Sequence, residues 1–136
     1  MFAVWAIGAI FGISVEFDDL RQRNAPDPEY GSTLAEILSM LASMGLAARG
    51  VHINFPERFS LRFPCIAHLR SMHFVVLLAC EASQALIFDA KHGLHYVQSD
   101  WMFSRFTLNF VQIEQSSPPS PSLWPHILRN LSALKL

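Results

Sequence analysis

The stretch Ser71-Met-His-Phe-Val-Val-Leu-Leu-Ala-Cys80 opens on a histidine and runs into an apolar strand pattern. Nine residues after Cys80, Phe88-Asp-Ala-Lys-His-Gly93 sets an aspartate ahead of a turn. A strand, a short turn and a returning strand bring His73 and Asp89 to one end of a hairpin. An imidazole beside a carboxylate is the base-and-orienter pair of nucleophilic hydrolysis. The carboxylate accepts the Nδ1 proton and fixes the tautomer, leaving Nε2 to take a proton from a thiol. The two cysteines, Cys65 and Cys80, both sit in apolar stretches, where a buried, reduced thiol is the simpler reading. Cys80 lies seven residues beyond His73 on the same run, toward the opposite end of a strand, and is a poor partner for it. His92 and His95 have H-x-x-H spacing, but on a turn and a strand two imidazoles do not converge as on one helical face. No metal is expected. Trp101, Phe103 and Phe106 read as core or rim packing, with a second reading as the lining of a groove for an extended peptide.

These residues must be positioned by a helical first part and a sheet that follows it. Residues 2–12 are apolar on nearly every side and predict a buried helix, with a short second helix from Asp18 to Gln22. Asn24-Ala-Pro-Asp-Pro-Glu-Tyr-Gly31 carries two prolines and a glycine and reads as a loop. Ser32 or Thr33 caps an amphipathic helix whose apolar positions Leu34, Ile37, Leu38, Leu41 and Leu46 follow helical spacing. Thr33-x-x-Glu36 has capping-box spacing, and Gly45 suits the C-terminal end. From there the period shortens. Residues 48–53, 65–69, 73–80, 85–88 and 94–97 read as strands, 56–62 as a connector, and 106–114 as a last strand. Between the last two strands, residues 99–104 predict a short helix with Ser99 as N-cap. Helices first and an antiparallel sheet afterwards is an α+β layout. Gln115-Ser-Ser-Pro-Pro-Ser-Pro-Ser122 reads as a linker and residues 123–136 as a short amphipathic tail helix in which Trp124 packs.

Composition narrows the function classes. The 136 residues carry 51% hydrophobic and 15% charged side chains, with a mean hydropathy of +0.29. One domain with a well-filled core and some covered surface fits these values. Net charge is −1 and no basic run occurs, so nucleic acid is not an expected partner. The apolar N-terminus is too short to cross a bilayer, has no basic segment before it, and leads into Glu16-Phe-Asp-Asp19; a core helix is expected there, not an anchor.

Taken in order, four segments resemble the bacteriocin-processing peptidase domain, the papain-like module found at the N-terminus of ABC transporters that export double-glycine-leader peptides. Phe11-Gly12 with Phe17-Asp-Asp-Leu-Arg21 resembles the end of the family's first helix and its short second helix. Gly31-Ser-Thr-Leu34 through Leu46-Ala-Ala-Arg49 resembles its glycine-threonine-leucine helix and following strand. Phe63-Pro-Cys-Ile-Ala-His68 and His73-Phe-Val-Val-Leu77 resemble its central strands, and Asp89-x-x-x-Gly93 its aspartate turn. The resemblance covers residues 2–114.

That resemblance implies a papain-like α+β fold in residues 1–114, the linker 115–122, and a tail (123–136) leading toward a transmembrane domain. It implies that His73 is the catalytic base and that Asp89 orients it. It also implies a cysteine-glycine pair opening the first helix, which alignment on Gly12 and Asp18-Asp-Leu-Arg21 sets just upstream of Met1, so the nucleophile is absent from the chain. The expected function is a peptidase-like domain that binds a leader peptide or secretion substrate for an exporter, at the cytoplasmic face of a bacterial inner membrane. Its partners are then the transporter's transmembrane and nucleotide-binding domains. No cofactor is expected here; ATP belongs to the separate nucleotide-binding domain. The alternatives are an active cysteine endopeptidase cutting double-glycine leaders, truncated at its N-terminus, and a stand-alone interaction module.

Overall fold

The computed structural model describes residues 2–13, 16–23, 33–53, 61–81, 83–114 and 120–135. The expected loop 24–31, the Ser32 cap, most of the 56–62 connector and residues 115–119 of the expected linker lie outside these. Helix α1 spans Phe2–Ile10, α2 Phe17–Arg23 and α3 Leu34–Ser43. Strands β1 (Ala48–His52), β2 (Cys65–Leu69), β3 (Phe74–Cys80), β4 (Gln84–Asp89) and β5 (Gly93–Gln98) follow. Then come helix α4 (Ser99–Arg105), strand β6 (Phe106–Ile113), a single 3₁₀ turn (Pro121–Leu123) and helix α5 (Trp124–Lys135). The strands form one antiparallel sheet in the order β1-β6-β2-β3-β4-β5.

Strand alternation divides the core in two. Ile66, Val76, Leu78, Phe88, Val111 and Ile113 point to the face that carries α1, α3 and α5. Cys65, Ala67, Val75, Leu77, Ala85 and Ile87 point to the other face, where Met102 of α4 and the aromatics Phe106 and Phe110 join them. A sheet covered on both faces needs apolar residues at consecutive positions, which is why Val75–Leu78 reads as an unbroken hydrophobic run. It also accounts for the positive mean hydropathy.

Helix α1 has no charged residue and is buried along almost its whole length. A helix apolar on all sides requires cover on all sides. The sheet lies beneath it, α3 beside it, and α5 packs across it and onto β5, burying Trp124, Leu128 and Leu131. At the start of α1, the Phe2 ring stacks on Phe88 at 5.2 Å, while Phe17 of α2 meets Trp5 edge-on at 5.2 Å. Aromatic pairs of this geometry contribute about 0.5–1.5 kcal/mol beyond their burial.

Helix α3 begins as its sequence dictates. The Glu36 N–H donates to Thr33 Oγ1 at 3.1 Å and the Thr33 N–H to Glu36 Oε1 at 3.2 Å, a complete capping box. Its C-cap is Met44, and Gly45 follows at φ +83°, a left-handed conformation glycine adopts without a Cβ penalty. Helix α4 departs from expectation. Ser99 is its first residue, not its N-cap, and Gln98 holds the cap position without a side-chain bond. The nearby β3–β4 turn captures Ser99 instead: its hydroxyl donates to the Glu81 carbonyl at 3.3 Å and its amide to the Ser83 carbonyl.

Candidate functional site

The β2–β3 and β4–β5 turns lie at the same end of the sheet, because β3 and β4 pair antiparallel with Val76 opposite Phe88. The stacked Phe2 and Phe88 rings put the first turn of α1 at this end too. His73 is the residue immediately before β3 and is exposed. The tight turn leading into it is closed by the Leu69 amide donating to the His73 carbonyl at 2.8 Å, and it forces Met72 to φ +69°. Asp89 ends β4, its side chain 18% exposed. Continuing the β3–β4 register sets Asp89 across from Val75 and His73 diagonal to it, a neighbour at about 7–8 Å with the Cβ atoms somewhat closer.

Asp89 has other partners. Its Oδ1 accepts from the Lys91 amide at 2.8 Å and from the His92 amide in a shorter bond. Its Oδ2 faces His92 Nδ1 at 3.6 Å and His95 Nε2 at 3.8 Å. Among the described residues the hydrogen bonds and ion pairs of Asp89 go to Lys91, His92 and His95, and none to His73. The direct His73–Asp89 bond expected from the hairpin is therefore not formed in this structure. The reason is local: an aspartate ahead of a tight turn meets the turn's own amides first. The signal for these partners lay in the sequence as Asp89-x-x-His92-x-x-His95. His95 stands opposite Ile87, and its Nδ1 bonds the Gly93 carbonyl at 3.0 Å. Its ring is 5.7 Å from that of His92. Among the described residues no group of three His, Cys, Asp or Glu side chains is arranged to hold a metal ion.

Of the two cysteines expected to be buried, Cys65 is and Cys80 is only half-buried. Cys65 is fully buried, and burial, reinforced by Cys80, pushes its thiol far above the usual range, so it holds its proton. Cys80 is half-buried at the opposite end of β3 from His73, about 23 Å of extended strand away. The aromatic trio separates. Phe106 is fully buried in the second core cluster, edge-on to Phe110, and reaches no surface, which removes it as a groove residue. Trp101 is half-buried with the Arg105 guanidinium 5.2 Å from its ring centroid. The side chain of Phe103 lies outside the described residues.

Sequence reasoning did not single out His68. Its ring packs on Phe74 at 4.7 Å, and its Nδ1 lies 3.1 Å from Thr107 Oγ1, bridging β2 to β6 beside the candidate site. Partial burial lowers its pKa from the ordinary 6.5.

The helices on an antiparallel sheet define the papain-like peptidase fold. A solved double-glycine-motif protease from an AMS/PCAT transporter, in complex with the leader peptide, superimposes with a TM-score of 0.74 at 25% identity, covering 82% of this chain and 79% of that one. The Peptidase C39 family model matches residues 1–117, and the chain belongs to that family. It is 32% identical over 77 residues to the colicin V secretion/processing ATP-binding protein CvaB of Escherichia coli, a match spanning 57% of this chain and 11% of that protein. It is 28% identical over 97 residues to a probable microcin-H47 secretion/processing ATP-binding protein, MchF, also of Escherichia coli, spanning 71% of this chain and 14% of that protein. The chain thus corresponds to a small part of these curated relatives. Among the described residues no helix is long and apolar enough to cross a membrane.

Proposed function

We propose that this chain is the peptidase-like domain of a peptide-exporting ABC transporter and binds the leader of a double-glycine secretion substrate at the turn end of its sheet. The observation that carries this is the convergence of His73, Asp89 and the first turn of α1 at one end of the sheet, in a chain of the C39 family. In this reading His73 is the base and Asp89 orients it. The diagonal across β3 and β4 is short enough for the imidazole and carboxylate to meet once Asp89 turns from His95. A helix N-terminus at this place favours a thiolate, but neither Cys65 nor Cys80 is positioned to be it. Neither thiol of residues 1–136 thus stands beside this base and carboxylate, and leader binding is the function favoured for these residues. The domain would work at the cytoplasmic face of a bacterial inner membrane, beside the transmembrane and nucleotide-binding domains of the exporter. ATP is handled in the latter.

The test pairs binding with cleavage. Calorimetry with a synthetic leader ending in Gly-Gly should show saturable binding, and mass spectrometry of the same mixture should show the leader intact. Cleavage after Gly-Gly by this chain would favour the endopeptidase reading instead. Absence of binding would remove the leader-recognition reading.

A further inference from the structure

Charge is distributed unevenly over a chain whose net charge is −1. The turn end of the sheet carries Arg105 at the start of β6, Arg70 after β2, His73 before β3 and Lys91 after β4, all exposed. Because β6, β2, β3 and β4 are neighbours in that order, these four residues form a row, one per strand end. The row is tied together at Arg70, whose amide donates to the Arg105 carbonyl at 2.8 Å. Three strand spacings give it a length of about 14 Å. Among the described residues none of the three permanent cations has an ion-pair partner, whereas Arg21 and Arg49 are paired to Asp18 and Glu114. Asp89, at the end of β4, is already engaged by the turn amides and by His92 and His95, and of the carboxylates beside Phe17 in the first turn of α2, Asp18 is paired to Arg21. Glu81 and Asp100 lie at the opposite end, on the β3–β4 turn and in the first turn of α4.

We infer that this row is an anion-recognising rim that takes an acidic peptide segment across His73. The inference rests on the leader-binding reading above and adds the chemistry of the substrate. A row of about 14 Å matches four residues of extended peptide at about 3.3–3.4 Å each, so carboxylates on alternate residues fall within reach of two or three cations. Half-buried Trp101, with Arg105 against its ring, and exposed Met72 add apolar surface suited to a peptide. Unpaired exposed cations contribute mainly to encounter rate and selectivity, and both weaken with salt.

The test uses fluorescence anisotropy with two labelled leader peptides ending in Gly-Gly, identical except that Glu residues near the Gly-Gly pair are Gln in the second. The acidic peptide should bind at least tenfold more tightly at 50 mM NaCl, and the preference should shrink at 500 mM. Arg70→Glu, Lys91→Glu and Arg105→Glu should each reduce the preference, and together abolish it, while Arg129→Glu at an exposed position of α5 leaves it unchanged. Circular dichroism of each variant checks that the fold is retained. Equal binding of the two peptides would overturn the inference while leaving leader recognition intact; binding of neither would remove both. Failure to discriminate between the peptides, with phosphatidylglycerol vesicles bound through the same three cations and phosphatidylcholine vesicles not, would overturn it in favour of a lipid surface.

Discussion

Met72 and His68 show how the site end is held at the cost of local strain and of acid sensitivity. Met72 sits at φ +69° and is 52% exposed. A left-handed conformation costs an L-residue about 1–2 kcal/mol, and an exposed side chain returns little of it. Met72→Gly is therefore expected to stabilise the protein by up to about 1 kcal/mol in urea unfolding, since glycine's extra chain entropy offsets part of the relief. A loss of stability would mean that the methionine packs. His68 has a folded pKa lowered by burial, so the folded state prefers it neutral. Its contribution is fully present above pH 6.5 and is lost as pH falls through the lower folded value. His68→Gln should flatten the decline of the thermal midpoint below pH 6.5, and an unchanged pH profile would contradict this account. Neither residue stood out in the sequence. A positive φ and a half-buried ring depend on how tightly a turn closes and what strand lies beside it.

Helix α5 is the element whose role the sequence left most open. Its apolar spacing announced a helix, but spacing does not say what the apolar stripe covers. In the fold it lies over α1 and β5, with Trp124 4% and Leu128 0% exposed, while Leu123 just ahead of it is 52% exposed. Trp124→Ala should cost about 3–5 kcal/mol and Leu128→Ala about 2–5 kcal/mol. Leu123→Ala should stay within about 0.5 kcal/mol. Chemical denaturation of the three variants decides whether α5 is part of the core, and three small effects would detach it. Helix α3, by contrast, was legible almost to the residue, because Thr33 and Glu36 cap each other's backbone three positions apart in the chain. The strands were legible to within one or two residues, since alternation is local. The N-cap of α4 was not, because Ser99 answers to carbonyls of a turn sixteen and more residues earlier.

Across the whole molecule, burial separates the reactive chemistry from the inert. Cys65 lies in the second core cluster with its thiol held protonated, so iodoacetamide should leave it unmodified in the native protein and label it only as the chain unfolds. Labelling under native conditions, mapped by mass spectrometry, would show an opening that reaches the centre of the sheet.

The sequence by itself determined the antiparallel sheet, the helices before it, the order of His73 and Asp89, and through that order the family. All of these rest on residue type and short periodicities along the chain. Only the tertiary structure decided that Asp89 is held by its own turn and by His92 and His95, that Phe106 is core, and that α5 covers α1. It alone assembled Arg105, Arg70, His73 and Lys91 into one row. A carboxylate's partner and a row of cations are set by differences of a few ångströms between segments far apart in the chain, and spacing within a segment does not encode them.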